Sequence, residues 1–260
     1  MRQESPFLAD DLDALDELLA QADAVVPLED VVDGARGFRT IGLRHDIDHD
    51  LGPALAFARW EADRGYRATY YLLHTAPYWR DRAALELAAI EIIDLGHRVG
   101  IHNNAIGDAL RTGFDPVEIL AEATEVLRGY GCEIRSTVAH GDELCGRARF
   151  VNDAVFVECA RPPYGEPRTN PPVRGRRTIE YGLRSIEVDP VPLASLGLDF
   201  DANWIARTEY ISDSGGRWSR PFADVVDLFP PQTGQLHMLV HPTWWRHAFS
   251  TIPAASGRKG

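Results

Sequence analysis

The chain is poor in cysteine, and its few cysteines are badly spaced for chemistry. Its 260 residues include only Cys132, Cys145 and Cys159. An odd number with no Cys-x-x-Cys spacing argues against a disulfide framework or a zinc knuckle, and for buried thiols in a reducing compartment. Long apolar runs are also missing: no stretch of about 18 apolar residues occurs, so no membrane span is expected. The first residues, Met-Arg-Gln-Glu-Ser-Pro-Phe, are not a positive region followed by an uninterrupted apolar stretch, so a cytoplasmic location is expected. Basic residues are outnumbered, 27 Lys and Arg against 39 Asp and Glu, for a net charge of −12. A surface that grips a phosphate backbone should be basic, so nucleic acid is not an expected partner, and the acidity serves solubility. There is no Pro/Gly/Ser linker, internal repeat or low-complexity segment. Neither G-x-x-x-x-G-K-[ST] nor G-x-S-x-G occurs, which removes the P-loop and the nucleophile-elbow hydrolases.

What is present is a rhythm. Residues 7–22 carry Leu8, Leu12, Leu15, Leu18 and Leu19 at helical spacing among acids, and a second short helix is expected over 28–33. From Thr40 onward, short apolar runs end in polar, often ionisable residues, and several lead into helical patterns. Such runs end at His45-Asp46, His74, His102, His140, Asp189, Asp213 and His241, with helices expected over 53–64, 82–95 and 115–130. Alternating strands and helices predict a parallel sheet with crossover helices. In a barrel of that kind all strand C-termini open on one face, so residues far apart in the chain can converge there. The expected organisation is an N-terminal helical extension over 1–39, one barrel domain over 40–250, and a tail over 251–260. Residues 161–177, rich in Pro and in Arg (161, 168, 174, 176, 177), read as a long loop. This Arg cluster is either a clamp for a phosphate or carboxylate, or surface arginine paired with surplus acids.

The strongest local signal is Arg44-His45-Asp46-Ile47-Asp48-His49-Asp50, directly after an apolar strand. Imidazole and carboxylate are the ligands a zinc-class ion takes, and a hydrolytic site also needs a base for water. The bland alternative is a polar turn that caps the next helix, favoured for Asp50. The second signal is Leu95-Gly-His-Arg-Val-Gly-Ile-His102-Asn103-Asn104. There His97 precedes the strand and reads as structural, while His102 ends it on the expected active face.

These segments resemble the first two motifs of the polysaccharide deacetylase family, carbohydrate esterase family four. Its order of an Asp-Asp strand end, an "ATFF"-like strand and "GHEIGxH" is met here by RHDID, ATYYLL and GHRVGIH. The likeness is closer to a divergent branch, found in bacterial surface-polysaccharide (O-antigen or capsule) gene sets, that has "RHDVDHD" early and "HPxWW" late. The late motif is matched by His241-Pro-Thr-Trp244-Trp245. The resemblance covers about residues 40 to 247. It implies a distorted seven-stranded parallel (β/α) barrel and metal-dependent hydrolysis of an N-acetyl group from an amino sugar, free or nucleotide- or lipid-linked. The implied cofactor is a divalent ion, zinc first, with cobalt, nickel or manganese as alternatives.

Carried over residue by residue, the resemblance leaves alternatives open. Aligned without a gap, Asp46 stands at the metal Asp and His45 at the base; shifted, Asp46 is the base and Asp48 the ligand. His102 matches the first metal histidine. The second falls on Ile106, and His140 is the available replacement. His241 matches the late histidine that serves as acid, and Asp213, in a stretch like the branch's "SDSxGxW", is the candidate to orient it. Arg44, Asn103, Asn104, Trp244 and Trp245 are the candidate substrate contacts, with one of the two tryptophans expected to pack instead. Two rival functions are a non-catalytic carbohydrate-binding relative, which Ile106 supports, and a hydrolase of another small amide.

Overall fold

The computed structural model describes residues 11–34, 39–162, 165–167, 170–205, 209–219, 229 and 234–250. Leu8, Pro163, Tyr164, Arg168 and the expected tail over 251–260 lie outside them. The described residues fall into two compact units. One takes Met1–Tyr70, Leu95–His97 and Arg207–Gly260, the other Tyr71–Asp94 and Arg98–Ala206.

In the first unit, helix α1 (Leu12–Leu19) starts where the Asp11 carboxylate accepts the Ala14 N–H at 3.0 Å, and it buries Leu15, Leu18 and Leu19. Strands β1 (Ala24–Val26) and β2 (Thr40–Ile47) pair in parallel, and helix α2 (Leu28–Val32) lies over β2. The segment before residue 40, expected to be helical, therefore also gives the sheet a strand. Helix α3 (Leu51–Asp63) follows β2. Strand β3 (Thr69–Leu73) begins in this unit, and β9 (Glu209–Ser212) and β10 (Gln235–Val240) complete it. The strand order is β3-β2-β10-β9, and β10 runs parallel to both β2 and β9.

In the second unit the order is β8-β5-β4-β3, with β4 (Arg98–Asn103), β5 (Ser136–Ala139) and β8 (Phe200–Asp201) paired in parallel. Helix α4 (Arg82–Asp94) precedes β4, and α5 (Ala105–Thr112) and α6 (Pro116–Gly129) follow it. The start of α6 is fixed by Asp115 accepting from Val117 and Glu118 and by Pro116 at its first position. Gly100 in β4 allows close packing, because a Cβ there would sit 2.4 Å from the Tyr71 ring. Helix α7 (Glu143–Ala148) comes after β5. Both units are thus mixed α/β with parallel strands.

One expected strand behaves differently. Arg184–Val188 (β7) does not join the parallel sheet; it forms an antiparallel pair with β6 (Arg177–Tyr181). Only Ile186 and Val188 of β7 are buried, too little apolar surface for a central parallel strand. Asp189 accordingly lies at the surface, paired with Arg176 at 2.6 Å. The parallel sheet of this unit takes the two-residue β8 instead. A last short helix, α8 (Arg246–Ser250), follows β10. Among the described residues no helix is long and apolar enough to cross a membrane.

Candidate functional site

Strand β2 sends alternate side chains to opposite faces, and this separates the residues of the RHDID segment. Arg44 and Asp46 share one face. The Arg44 guanidinium donates to both Asp46 oxygens, at 2.7 and 2.6 Å, and both residues are buried. His45 points the other way. Its Nε2 donates to Glu61 Oε1 at 2.6 Å, and its ring packs on Tyr70 and Phe57, with centroids 4.5 and 5.1 Å away. His45 Nδ1 has no hydrogen-bond partner among the described residues.

Glu61 is a residue that motif reading passes over. It is fully buried on α3 and also accepts the Tyr70 hydroxyl at 2.7 Å. Burial, then the Glu61 charge, then its hydrogen bond, hold the Tyr70 phenol well above its usual range. The available signal was a lone glutamate on the apolar side of an otherwise amphipathic helix. His97 belongs to the same buried polar layer: it accepts the Ala68 N–H at Nδ1 and donates from Nε2 to the Ala58 carbonyl, at 3.1 and 2.9 Å. Burial lowers its pKa. Asp50 occupies the position before α3, but its side chain makes no cap; it pairs with Arg246.

His241 directly follows β10 in this unit. Asp213, without solvent exposure, accepts from its Nδ1 at 2.6 Å, from its backbone N–H at 2.9 and 3.0 Å, and from Trp245 Nε1 at 2.9 Å. Burial pulls the His241 pKa down. The Asp213 hydrogen bond and the charges of Asp46, Asp213 and Asp48 outweigh it, so the net shift is upward. Asp46, Asp48 and Asp213 thus act on one imidazole. Trp245 is fully buried, edge-on to Phe57 at 5.4 Å and to Trp218 at 6.0 Å. Trp244 is 43% exposed and can meet a ligand.

The second unit carries His74, His102 and His140. His102, at the end of β4, donates from Nδ1 to the Val138 carbonyl at 3.0 Å, so its Nε2 is a lone-pair donor. His140 follows the neighbouring strand β5, and its Nδ1 lies 3.2 Å from His102 Nε2, with the two rings nearly perpendicular. Two imidazole ligands of one tetrahedral zinc, each at about 2.0–2.1 Å, stand about 3.3 Å apart. The pair therefore fits a zinc-class ion both in spacing and in the fixed tautomer of His102. His74 accepts the Asn104 N–H at 3.0 Å. Burial, with smaller contributions from His102 and His140, pushes its pKa down to about 3, so it is neutral.

Asn103 and Asn104 are buried and tied to protein groups. Asn103 donates to the Asn152 carbonyl at 2.9 Å and accepts from Ala105 at 2.9 Å; Asn104 donates to Asp142 at 2.8 Å and to Thr75 at 3.1 Å. Ile106, where the second metal histidine would stand, is a fully buried side chain of α5. Asn152 is another residue that motif reading misses. Its carbonyl oxygen Oδ1 accepts from Ile106 and Gly107 at the start of α5, and its Nδ2 donates to the His140 carbonyl at 2.9 Å. Asn152 therefore holds both α5 and the backbone of His140.

Three of the four described arginines of 161–177 meet acids or carbonyls. Arg161 pairs with Asp153, Arg176 with Asp189, and Arg177 donates to the Ala154 carbonyl at 3.2 Å. A second group with metal-ligand chemistry, Asp153, Cys159 and Asp201, is buried in this unit, with its ligand atoms within 4.8 Å of one another. Arg161 already neutralises Asp153 there, and burial, with the Asp201 and Asp153 charges, raises the Cys159 thiol pKa. Comparison with family profiles, with curated proteins and with solved structures gives no match for this chain.

Proposed function

We propose that this chain is a metal-dependent amide hydrolase that removes an N-acetyl group from an amino sugar of a surface polysaccharide or its nucleotide- or lipid-linked precursor, on a barrel of the polysaccharide-deacetylase type. The observation that carries the reading is the His102–His140 pair, held at ligand spacing at the ends of neighbouring strands. The ordered match of RHDID, GHRVGIH and HPTWW supports it. In this proposal Asp48, the metal Asp of the shifted alignment, joins His102 and His140 as the ligand set, so His140 supplies the imidazole that Ile106 cannot.

A divalent ion bound there would polarise the acetyl carbonyl and favour deprotonation of water. The protein's own groups divide the remaining work. Asp46, oriented by Arg44, is the base, since His45 is committed to Glu61 on the other face of the strand. His241, with Nδ1 tied to Asp213 and a raised pKa, gives its Nε2 proton to the sugar nitrogen as the C–N bond breaks. Water, minus the proton taken by Asp46, becomes part of the released acetate. Trp244 offers a partly exposed aromatic face to the sugar.

The buried Ile106 favours a second reading, a carbohydrate-binding relative without turnover. Acetate release separates the two. The zinc-loaded protein, given N-acetylated amino sugars in free, nucleotide-linked and lipid-linked form, releases acetate from at least one, and Asp46→Asn and His241→Gln each abolish it. Binding without release establishes the second reading, and ammonia release from small amides alone establishes a different hydrolase.

A further inference from the structure

A pocket of about 420 Å³ opens in the second unit, lined among others by Arg161, Pro162, Glu166, Asn170, Asn203 and Trp204. None of the residues proposed to hold the metal or move protons lines it. The pocket wall is built rather than incidental. Trp204 is 43% exposed, yet its indole N–H donates at 2.9 Å to Asp153, which has no exposure. The Arg161 guanidinium lies over the same indole, 5.1 Å from the ring centroid, and pairs with the same carboxylate. An aromatic surface that would otherwise favour burial is thus held in one orientation at the mouth of a cavity.

The charged groups on the wall are paired with one another, with Asp153 Oδ1 and Arg161 Nε left as buried atoms without a hydrogen-bond partner among the described residues. Asp153 takes Arg161, and Glu166 takes Arg149 at 2.5 Å and the Asn170 amide N–H at 3.2 Å. An anionic ligand drawn to Arg161 would strand a buried carboxylate, and a cation drawn to Glu166 would displace Arg149. What remains for a ligand is an aromatic face, two prolines and amide and carboxylate groups that pair with hydroxyls. The volume is at the small end of ligand pockets. We propose that this pocket is a second carbohydrate site, for an uncharged pyranose, whose ring C–H face lies on Trp204 and whose hydroxyls bond to Asn170, Asn203 and Glu166. The inference does not depend on the metal site. One turn connects the pocket to the metal histidines: Asn152 supports His140 while the adjacent Asp153 supports Trp204.

Ligand-observed NMR and calorimetric titration of the full chain decide the matter, with methyl glucoside, methyl galactoside, methyl mannoside, glucuronate and uridine as probes. At least one neutral pyranose binds with millimolar or tighter affinity. Trp204→Ala weakens it about tenfold, Trp204→Phe less, and His102→Ala leaves it unchanged. Asn170→Ala, on an exposed loop, weakens it as well, and decides the question if Trp204→Ala does not fold. Four outcomes would overturn the proposal: no neutral pyranose binds; glucuronate or uridine is preferred; neither pocket variant that folds alters affinity; or His102→Ala abolishes binding, which would move the sugar to the metal residues.

Discussion

Replacing Asp213 with Asn changes one charge and almost no volume, and it should disable His241 from behind. The native carboxylate is fully buried and accepts from His241 Nδ1 at 2.6 Å, from the His241 backbone N–H at 2.9 and 3.0 Å, and from Trp245 Nε1 at 2.9 Å. An amide keeps only one oxygen, and its NH2 must face one of these donors. One buried donor left unpaired costs about 1–3 kcal/mol, and the bond to the imidazole loses its charge assistance. The combined loss on unfolding is about 3–5 kcal/mol. The sign with pH follows from the raised native pKa of His241. A histidine raised above its unfolded value of about 6.5 contributes its full stabilisation below that pH, and loses it as the pH climbs through the native pKa. The charge-dependent part of the difference between native protein and Asp213→Asn is therefore largest in mildly acidic solution and fades in alkali. In the variant, burial still pulls the imidazole down while its closest carboxylate is gone, so His241 titrates lower. Urea unfolding across pH on chelator-treated protein and NMR titration of His241 give both quantities. An unchanged His241 pKa in the variant, or a stability difference that does not shrink at high pH, refutes the reasoning.

Glu61→Gln should destabilise the chain by about 2–4 kcal/mol, because it leaves His45 Nε2 and the Tyr70 hydroxyl competing for one oxygen in a fully buried site; the midpoint of urea unfolding checks it. Gly107→Ala places a Cβ 2.3 Å from Asn104 Oδ1, so Asn104 must give up its bonds to Asp142 and Asn152, at a cost of about 1–3 kcal/mol seen in the thermal midpoint. His74, with its pKa lowered to about 3, stays neutral in the native state while the unfolded chain takes up its proton below about pH 6.5. Native stability therefore falls as the pH drops from about 6.5 toward 3, and His74→Gln, measured by urea unfolding over that range, has a shallower acid limb.

The parallel strands were legible because their signal is local. Thr40–Ile47, Thr69–Leu73, Arg98–Asn103 and Gln235–Val240 are each short apolar runs with a polar end. Helix α5 was hidden by its eight-residue length, and β8 by having only two residues. Arg184–Val188 looked like one more sheet strand because length and alternation do not distinguish a surface hairpin from a buried strand; its antiparallel partner does. In the site, His241 with Asp213 and His102 with His140 were readable as residues at strand ends, but their contacts were not. The ambiguity between His45 and Asp46 came from aligning letters. The two-residue alternation of β2 resolves which side chains share a face, and it puts His45 with Glu61, a residue 16 positions away that no motif connects to it.

The proposal stands on His102 and His140, with Asp48 as the shifted alignment implies, holding one divalent ion. Zinc content after loading and dialysis, measured by mass spectrometry on native protein and on Asp48→Ala, His102→Ala and His140→Ala, tests it most directly. About one zinc per native chain is expected, with a fall well below that in each variant whose circular dichroism remains native. A native chain that retains no zinc, cobalt, nickel or manganese, or variants that retain as much as the native chain does, would contradict it.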